Sequence, residues 1–119
     1  MVSMSLRSRQ WLVDENDNII MGEGRKEILE NIERTGSLNQ TAKIMKMSYK
    51  GVWSKIKATE NCMKMKIVQS DKKRGSFLTK EGEELLRKYT ELKERCTDVD
   101  NKVFRSIFDE HQGPTNRRD

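Results

Sequence analysis

Two breaks in helical periodicity constrain this chain more than any other feature. Gly36-Ser37 and Met47-Ser48 interrupt a stretch whose apolar residues otherwise recur at helical spacing. Before the first break, Glu23 to Thr35 places Ile28, Leu29 and Ile32 on one face and charged residues on the other, which predicts an amphipathic helix. Gly36 suits the position that closes such a helix. Ser37 can cap the next one, and Gln40 three residues later completes a capping-box pattern. That second helix is short, with Leu38, Thr41, Ala42 and Met45 inward, and it ends near Lys46-Met47. Ser48 then caps a third helix from Tyr49 to about Cys62. Val52, Ile56 and Thr59 are spaced to face the core, leaving Lys50, Ser54 and Lys57 on the outer face.

The flanks carry shorter signals. Leu6 to Met21 reads as a hairpin, with strand-favouring residues on either side of the turn Asp14-Glu15-Asn16-Asp17-Asn18. Ile67-Val68-Gln69-Ser70 reads as a short strand, Asp71 to Ser76 as a polar connection, and Phe77-Leu78 as the returning strand. Thr79 caps a final long helix whose apolar periodicity runs to Phe108. The expected fold is mainly α with small β: residues 1–78 form a winged helix-turn-helix domain with an N-terminal β-hairpin, 79–111 a long dimerisation helix, and 112–119 a disordered tail.

Charge is unevenly placed. The chain carries a net +5, but Ser37 to Leu78 holds ten basic residues against Glu60 and Asp71, a net +8, so the remainder is −3. A basic block in an otherwise slightly acidic chain is the footprint of a polyanion-binding surface. A solvated lysine-rich face is the plainer reading of the same charge.

Several classes of function are disfavoured. Cys62 and Cys96 are far apart, His111 is the single histidine, and a zinc site needs about three or four such ligands. No metal, cofactor or small-molecule effector is therefore expected, and the thiols read as reduced. With no glycine-rich phosphate loop and no histidine-centred triad, catalysis is not expected. The N-terminus lacks a signal-peptide core, and no segment approaches the roughly 20 apolar residues of a membrane span. A cytoplasmic location follows, with no membrane partner. Met45, Met47, Met63 and Met65 are expected to fill gaps in the core, since no His or Cys cluster joins them.

The predicted order, helix, short helix, tight turn, helix, basic two-stranded loop, helix, is the plan of a winged helix-turn-helix, whose second helix enters the DNA major groove by its N-terminal residues. The expected DNA-binding residues are Ser37, Asn39 and Gln40, then Ser48, Tyr49, Lys50, Ser54 and Lys57, with Lys72, Lys73 and Arg74 in the loop. Three consecutive cations repel unless an anion is near, and a phosphate backbone supplies one. Trp53 falls between the inner and outer faces of its helix and reads as core or subunit packing before ligand contact. Trp11 is expected to pack as well.

From Gly24 to Glu60 the sequence resembles the N-terminal domain of molybdate-responsive ModE-type regulators and, more distantly, the DNA-binding domain of LysR-type regulators. The resemblance rests on TGSLNQTAK (Thr35 to Lys43), MSYKGVW (Met47 to Trp53) and KATE (Lys57 to Glu60). LTKEGEELL (Leu78 to Leu86) resembles the start of those families' linker helix, so the likeness spans roughly Leu6 to Leu92. It implies a winged-helix transcriptional regulator that binds double-stranded DNA and dimerises through its long helix. ModE-type proteins also carry a C-terminal molybdate-binding module, which has no counterpart in this sequence, so molybdate sensing is not expected.

The final helix argues for the dimer independently. Leu85, Tyr89, Leu92, Cys96, Val99 and Val103 are spaced 4, 3, 4, 3, 4, an a/d seam. A helix of that length, about 45 Å, outruns a small three-helix core and suits a second copy. The alternative is a helix folding back over its own domain. For the whole chain, the competing function is a winged-helix protein–protein interaction module, marked by binding that ignores salt.

Overall fold

Asp14 organises the first turn of the computed structural model, which describes residues 2–108. Its Oδ1 accepts from the backbone N–H groups of Asn16 and Asn18, each at 2.9 Å, and its own N–H donates to the Asn18 carbonyl at 2.9 Å. Asp17 takes a left-handed φ of 64°, which short polar side chains tolerate. This turn joins β1 (Leu12–Val13) to antiparallel β2 (Ile19–Met21). The hairpin is therefore shorter than the predicted Leu6 to Met21.

The three helices follow as their caps require. α1 (Glu23–Thr35) closes at Gly36, whose φ is 70° and whose N–H donates to the Ile32 carbonyl at 2.8 Å. α2 (Leu38–Met45) starts on Ser37, whose Oγ accepts from the Gln40 N–H at 3.0 Å. The capping box is only half made, because the Ser37 N–H donates to Thr35 Oγ1 at 3.2 Å rather than to Gln40. α3 (Tyr49–Met63) starts on Ser48, whose Oγ accepts from Gly51 N–H at 2.9 Å.

A second hairpin, β3 (Val68–Asp71) with β4 (Gly75–Leu78), is antiparallel and pairs Val68 with Leu78 and Asp71 with Gly75. It extends nearer the turn than predicted, leaving a connection of Lys72, Lys73 and Arg74 alone. Thr79 then joins sheet to helix. Its Oγ1 donates to the Lys66 carbonyl at 2.7 Å and accepts from the Gly82 N–H at 3.0 Å, starting α4 (Lys80–Phe108). A β-carbon on Gly82 would stand 2.1 Å from the Ile67 carbonyl oxygen, so the close approach of α4 to the backbone just before β3 requires glycine.

The molecule is thus mainly helical, with two small antiparallel hairpins and a long C-terminal helix. One core joins them. Ile28, Leu29 and Ile32 of α1, Leu38 and Ala42 of α2, and Val52 and Ile56 of α3 are buried with Met21, Ile67, Val68 and Leu78. Met45, Met47 and Met63 pack partly against it as expected, whereas Met65 is exposed. Thr59 ties the first hairpin to α3 by donating from Oγ1 to the Ile20 carbonyl at 2.7 Å, and the Arg25 guanidinium donates to the neighbouring Ile19 carbonyl.

Two expectations are corrected. Leu85 and Tyr89, predicted in the dimerisation seam, lie with Leu86 in the chain's own core; Tyr89 is 1% exposed. Those first turns of α4 cover the α1–hairpin layer, so their seam spacing serves an intrachain contact. From Leu92 onward the stripe is uncovered: Val99 is 58% exposed and Val103 52%, while Cys96 is half-buried. Second, Trp11, expected to pack, is 64% exposed, with its ring against Gly22, where a β-carbon would stand 3.0 Å from it. The residues before it run along α4 instead of pairing as a strand. Tyr89 Oη donates to the Gln10 carbonyl at 2.6 Å and Ser8 Oγ to Asp100 Oδ2 at 2.7 Å. The projecting α4 gives the molecule its 64 Å length against 31 and 22 Å in the other directions. The expected tail, 112–119, and His111 lie outside the described residues.

Candidate nucleic-acid interface

The turn between α2 and α3 is three residues long. Lys46 adopts a left-handed φ of 56°, and the N–H of Met47 donates to the Ala42 carbonyl at 2.9 Å, which ends α2 sharply. Ser48 restarts the chain as a helix, so the first turn of α3 faces outward beside the turn. Tyr49 is half exposed and Lys50 exposed. Ser54 is exposed, but its hydroxyl donates to the Gly51 carbonyl at 3.0 Å and so keeps only acceptor capacity for a ligand.

Lys57 is committed elsewhere. Its Nζ lies 3.4 Å from Glu60 Oε1 and 4.9 Å from the centre of the Trp53 ring. Trp53 packs partly against the core and carries this cation on its other side. Glu60 is itself buried, and its Oε2 accepts from the backbone N–H groups of Ile67 at 2.9 Å and Val68 at 3.2 Å. One carboxylate therefore joins the last turns of α3 to the start of β3 and holds the second hairpin at a set angle.

The hairpin is fastened from the other side as well. Gly75 has a φ of 82°, and the N–H of Ser76 donates to the Gly36 carbonyl at 2.9 Å. The hairpin thus abuts the α1–α2 joint, and a groove opens whose walls include Ser37 at the cap of α2, Asn39 of α2, Tyr49 of α3, and Ser70, Lys72 and Ser76 of the hairpin. Predicted site residues from three separate stretches of sequence meet there. Ser37 lines the groove mainly as a cap, and Ser48, outside its lining, is a cap too, since each hydroxyl oxygen already accepts a backbone N–H. Gln40 is exposed on the outer side of α2.

At the hairpin tip the three cations differ. Asp71 Oδ1 accepts from the Lys73 N–H at 2.7 Å, and Oδ2 lies 3.4 Å from Arg74 Nε. The Lys73 N–H, foremost, and the Arg74 groups hold the Asp71 carboxyl below its ordinary range. Arg74 also lies 4.8 Å from the centre of the Phe77 ring. Lys72 and Lys73 are exposed, with no ion pair among the described residues.

Lys43 and Lys46, exposed on α2 and in its turn, extend the same cationic region. They stand outside the predicted site set, although Asn39, Gln40 and Lys43 share helical spacing on the polar side of α2. The groove between α1 and α4 has the contrary sign: it is lined by Glu30, Glu33, Glu83, Glu84, Glu91 and Glu94, with Lys80 and Arg87. Among the described residues no group of three His, Cys, Asp or Glu side chains is placed to hold a metal ion, and no helix is long and apolar enough to cross a membrane. No protein-family model matches the chain, and no curated protein is detectably similar to it in sequence.

Proposed function

We propose that this protein is a winged helix-turn-helix transcriptional regulator that binds double-stranded DNA as a homodimer and has no catalytic role. The observation that carries the reading is the groove shared by Asn39, Tyr49 and Lys72, set within a block of net charge +8, while the groove between α1 and α4 is acidic. In this reading α3 enters the major groove by its first turn, with Tyr49 and Lys50 at base edges. The N-terminal turn of α2 and the Lys72-Lys73-Arg74 tip contact the flanking phosphates or the minor groove. The likeness of Thr35 to Lys43 and Met47 to Trp53 to ModE-type and LysR-type domains supports the same assignment. A second copy joins through the uncovered part of α4, from Leu92 through Cys96 and Val99 to Val103, so that two helices read two half-sites about 34 Å apart.

Fluorescence anisotropy on duplex DNA across a salt series tests the reading. Neutralising about six phosphates gives a slope of log K against log salt of about −5. A slope near zero defeats it and favours a protein-interaction module.

A further inference from the structure

Residues 2–10 do not belong to either hairpin. Residues 6–10 run beside α4 as a strap, latched by the Tyr89–Gln10 and Ser8–Asp100 hydrogen bonds, and residues 2–5 lead into it. Val2, Met4 and Leu6 alternate with Ser3, Ser5 and Arg7, the period-two pattern of a segment with one apolar edge. That edge is uncovered: Val2 is 82% exposed, Met4 54% and Leu6 39%. An alternating apolar edge on an extended segment is built to be buried, yet among the described residues nothing buries it.

Its position says what does. Asp100, which holds the strap, is four residues after Cys96 and three before Val103, so it adjoins the uncovered stripe of α4 on the helix surface. The strap also borders the groove formed by Lys93, Thr97 and Asn101 on that flank. Strap and stripe therefore lie side by side. Among the described residues the stripe offers Leu92, Cys96, Val99, Val103 and Ile107, with Phe104 and Phe108 beside them, whereas a stable interface takes roughly 20–30 residues a side. A dimer built on the stripe alone is too small, and the adjoining strap is the apolar surface continuous with it.

We infer that the N-terminal strap is half of the dimer interface, its Val2-Met4-Leu6 edge buried by a second copy of this chain together with the α4 stripe. The inference rests on the homodimer proposed above.

Sedimentation equilibrium of the full chain and two variants separates the claims. Val2→Ser/Met4→Ser/Leu6→Ser is expected to raise the dimer dissociation constant about a hundredfold, and Leu92→Glu/Val99→Glu to abolish the dimer. If the strap variant dimerises within twofold of the unaltered chain while the stripe variant is monomeric, the strap inference fails and the dimer stands. If the unaltered chain is a monomer at micromolar concentration, both fail. Hydrogen exchange of the unaltered chain checks the strap without any substitution. Amides of residues 3–9 are expected to slow above the dissociation constant, and concentration-independent exchange there overturns the inference.

Discussion

A β-carbon on Gly75 would stand 2.4 Å from the carbonyl oxygen of Gly36, the same oxygen that accepts the Ser76 N–H at 2.9 Å. The hairpin and the α1–α2 joint are in backbone contact there, and no side chain has room between them. Gly75 also has a positive φ that alanine adopts only with strain. Gly75→Ala is therefore expected to cost about 1–3 kcal/mol in denaturant unfolding. It should also weaken DNA binding by displacing the hairpin from the groove. Unchanged stability would mean the hairpin shifts freely, and the groove would then not be a fixed feature.

Glu60 fixes the other side of the hairpin, and its role is distinguishable from that of a surface charge. Glu60→Ala leaves the N–H groups of Ile67 and Val68 without their acceptor in a buried place and is expected to cost about 2–4 kcal/mol. Glu60→Gln keeps one side-chain carbonyl oxygen and should lose clearly less. Equal losses from the two variants, by thermal or urea unfolding, would place the effect in the Lys57 ion pair instead.

The Asp71 carboxyl, at the hairpin tip, should titrate below the ordinary aspartate range, because the Lys73 N–H and then the Arg74 groups favour its ionised form. The sign follows from that depression. The contact is fully formed at neutral pH and is lost as pH falls through the lowered pKa, which loosens the tip in acid. NMR titration of the Asp71 carboxyl checks this, and Asp71→Asn should remove the acid-dependent shift of the Lys73 amide.

Base reading and phosphate contact should separate by residue. Lys72→Ala with Lys73→Ala is expected to weaken all duplexes alike and to lower the salt slope by about two. Adding Arg74→Ala should weaken binding further, but by less than either lysine, since Arg74 also pairs with Asp71 and lies over Phe77. Changes at Tyr49 or Lys50 are instead expected to lose about 1–3 kcal/mol on a preferred site and little on random sequence. Equal losses on both DNAs would remove these two residues from base contact.

Most of the helical framework was legible because its determinants are local. Gly36, Ser37 and Ser48 are caps whose partners lie within four residues, and α1 runs over the range its periodicity predicts. The site was legible as a set of residue types, but not in how those residues are engaged. Lys57 and Arg74 look like free cations in sequence, and only the packing shows them facing Glu60 and Phe77. Leu6 to Gln10 reads as part of a hairpin in sequence but is not a strand, because its hydrogen bonds go to side chains of α4, with Ser8 and Asp100 separated by 92 positions. The α4 stripe exposes a deeper ambiguity. A core-facing stripe and a partner-facing seam have the same 3–4 spacing, and periodicity alone cannot say where one becomes the other.

That change falls between Tyr89 and Leu92, and it yields the last prediction. Leu85 is buried against the chain's own core, so Leu85→Ala is expected to cost about 2–5 kcal/mol of folding stability. The loss should appear at protein concentrations low enough for the chain to be monomeric. Tyr89→Phe removes the hydroxyl that donates to the Gln10 carbonyl and should loosen the strap with a smaller loss, near 1 kcal/mol. Leu92 and Val99 lie one and three turns further on and touch solvent, so charged residues there should leave monomer unfolding almost unchanged. The same charges in an apolar interface would be desolvated without partners, which disfavours association strongly. Specific DNA affinity should then fall by orders of magnitude, because a second half-site contact is no longer intramolecular. Unfolding and sedimentation measured together decide the matter. If Leu92→Glu/Val99→Glu destabilises the monomer as much as Leu85→Ala does, the stripe is a fold-back surface of one chain and not the seam between two.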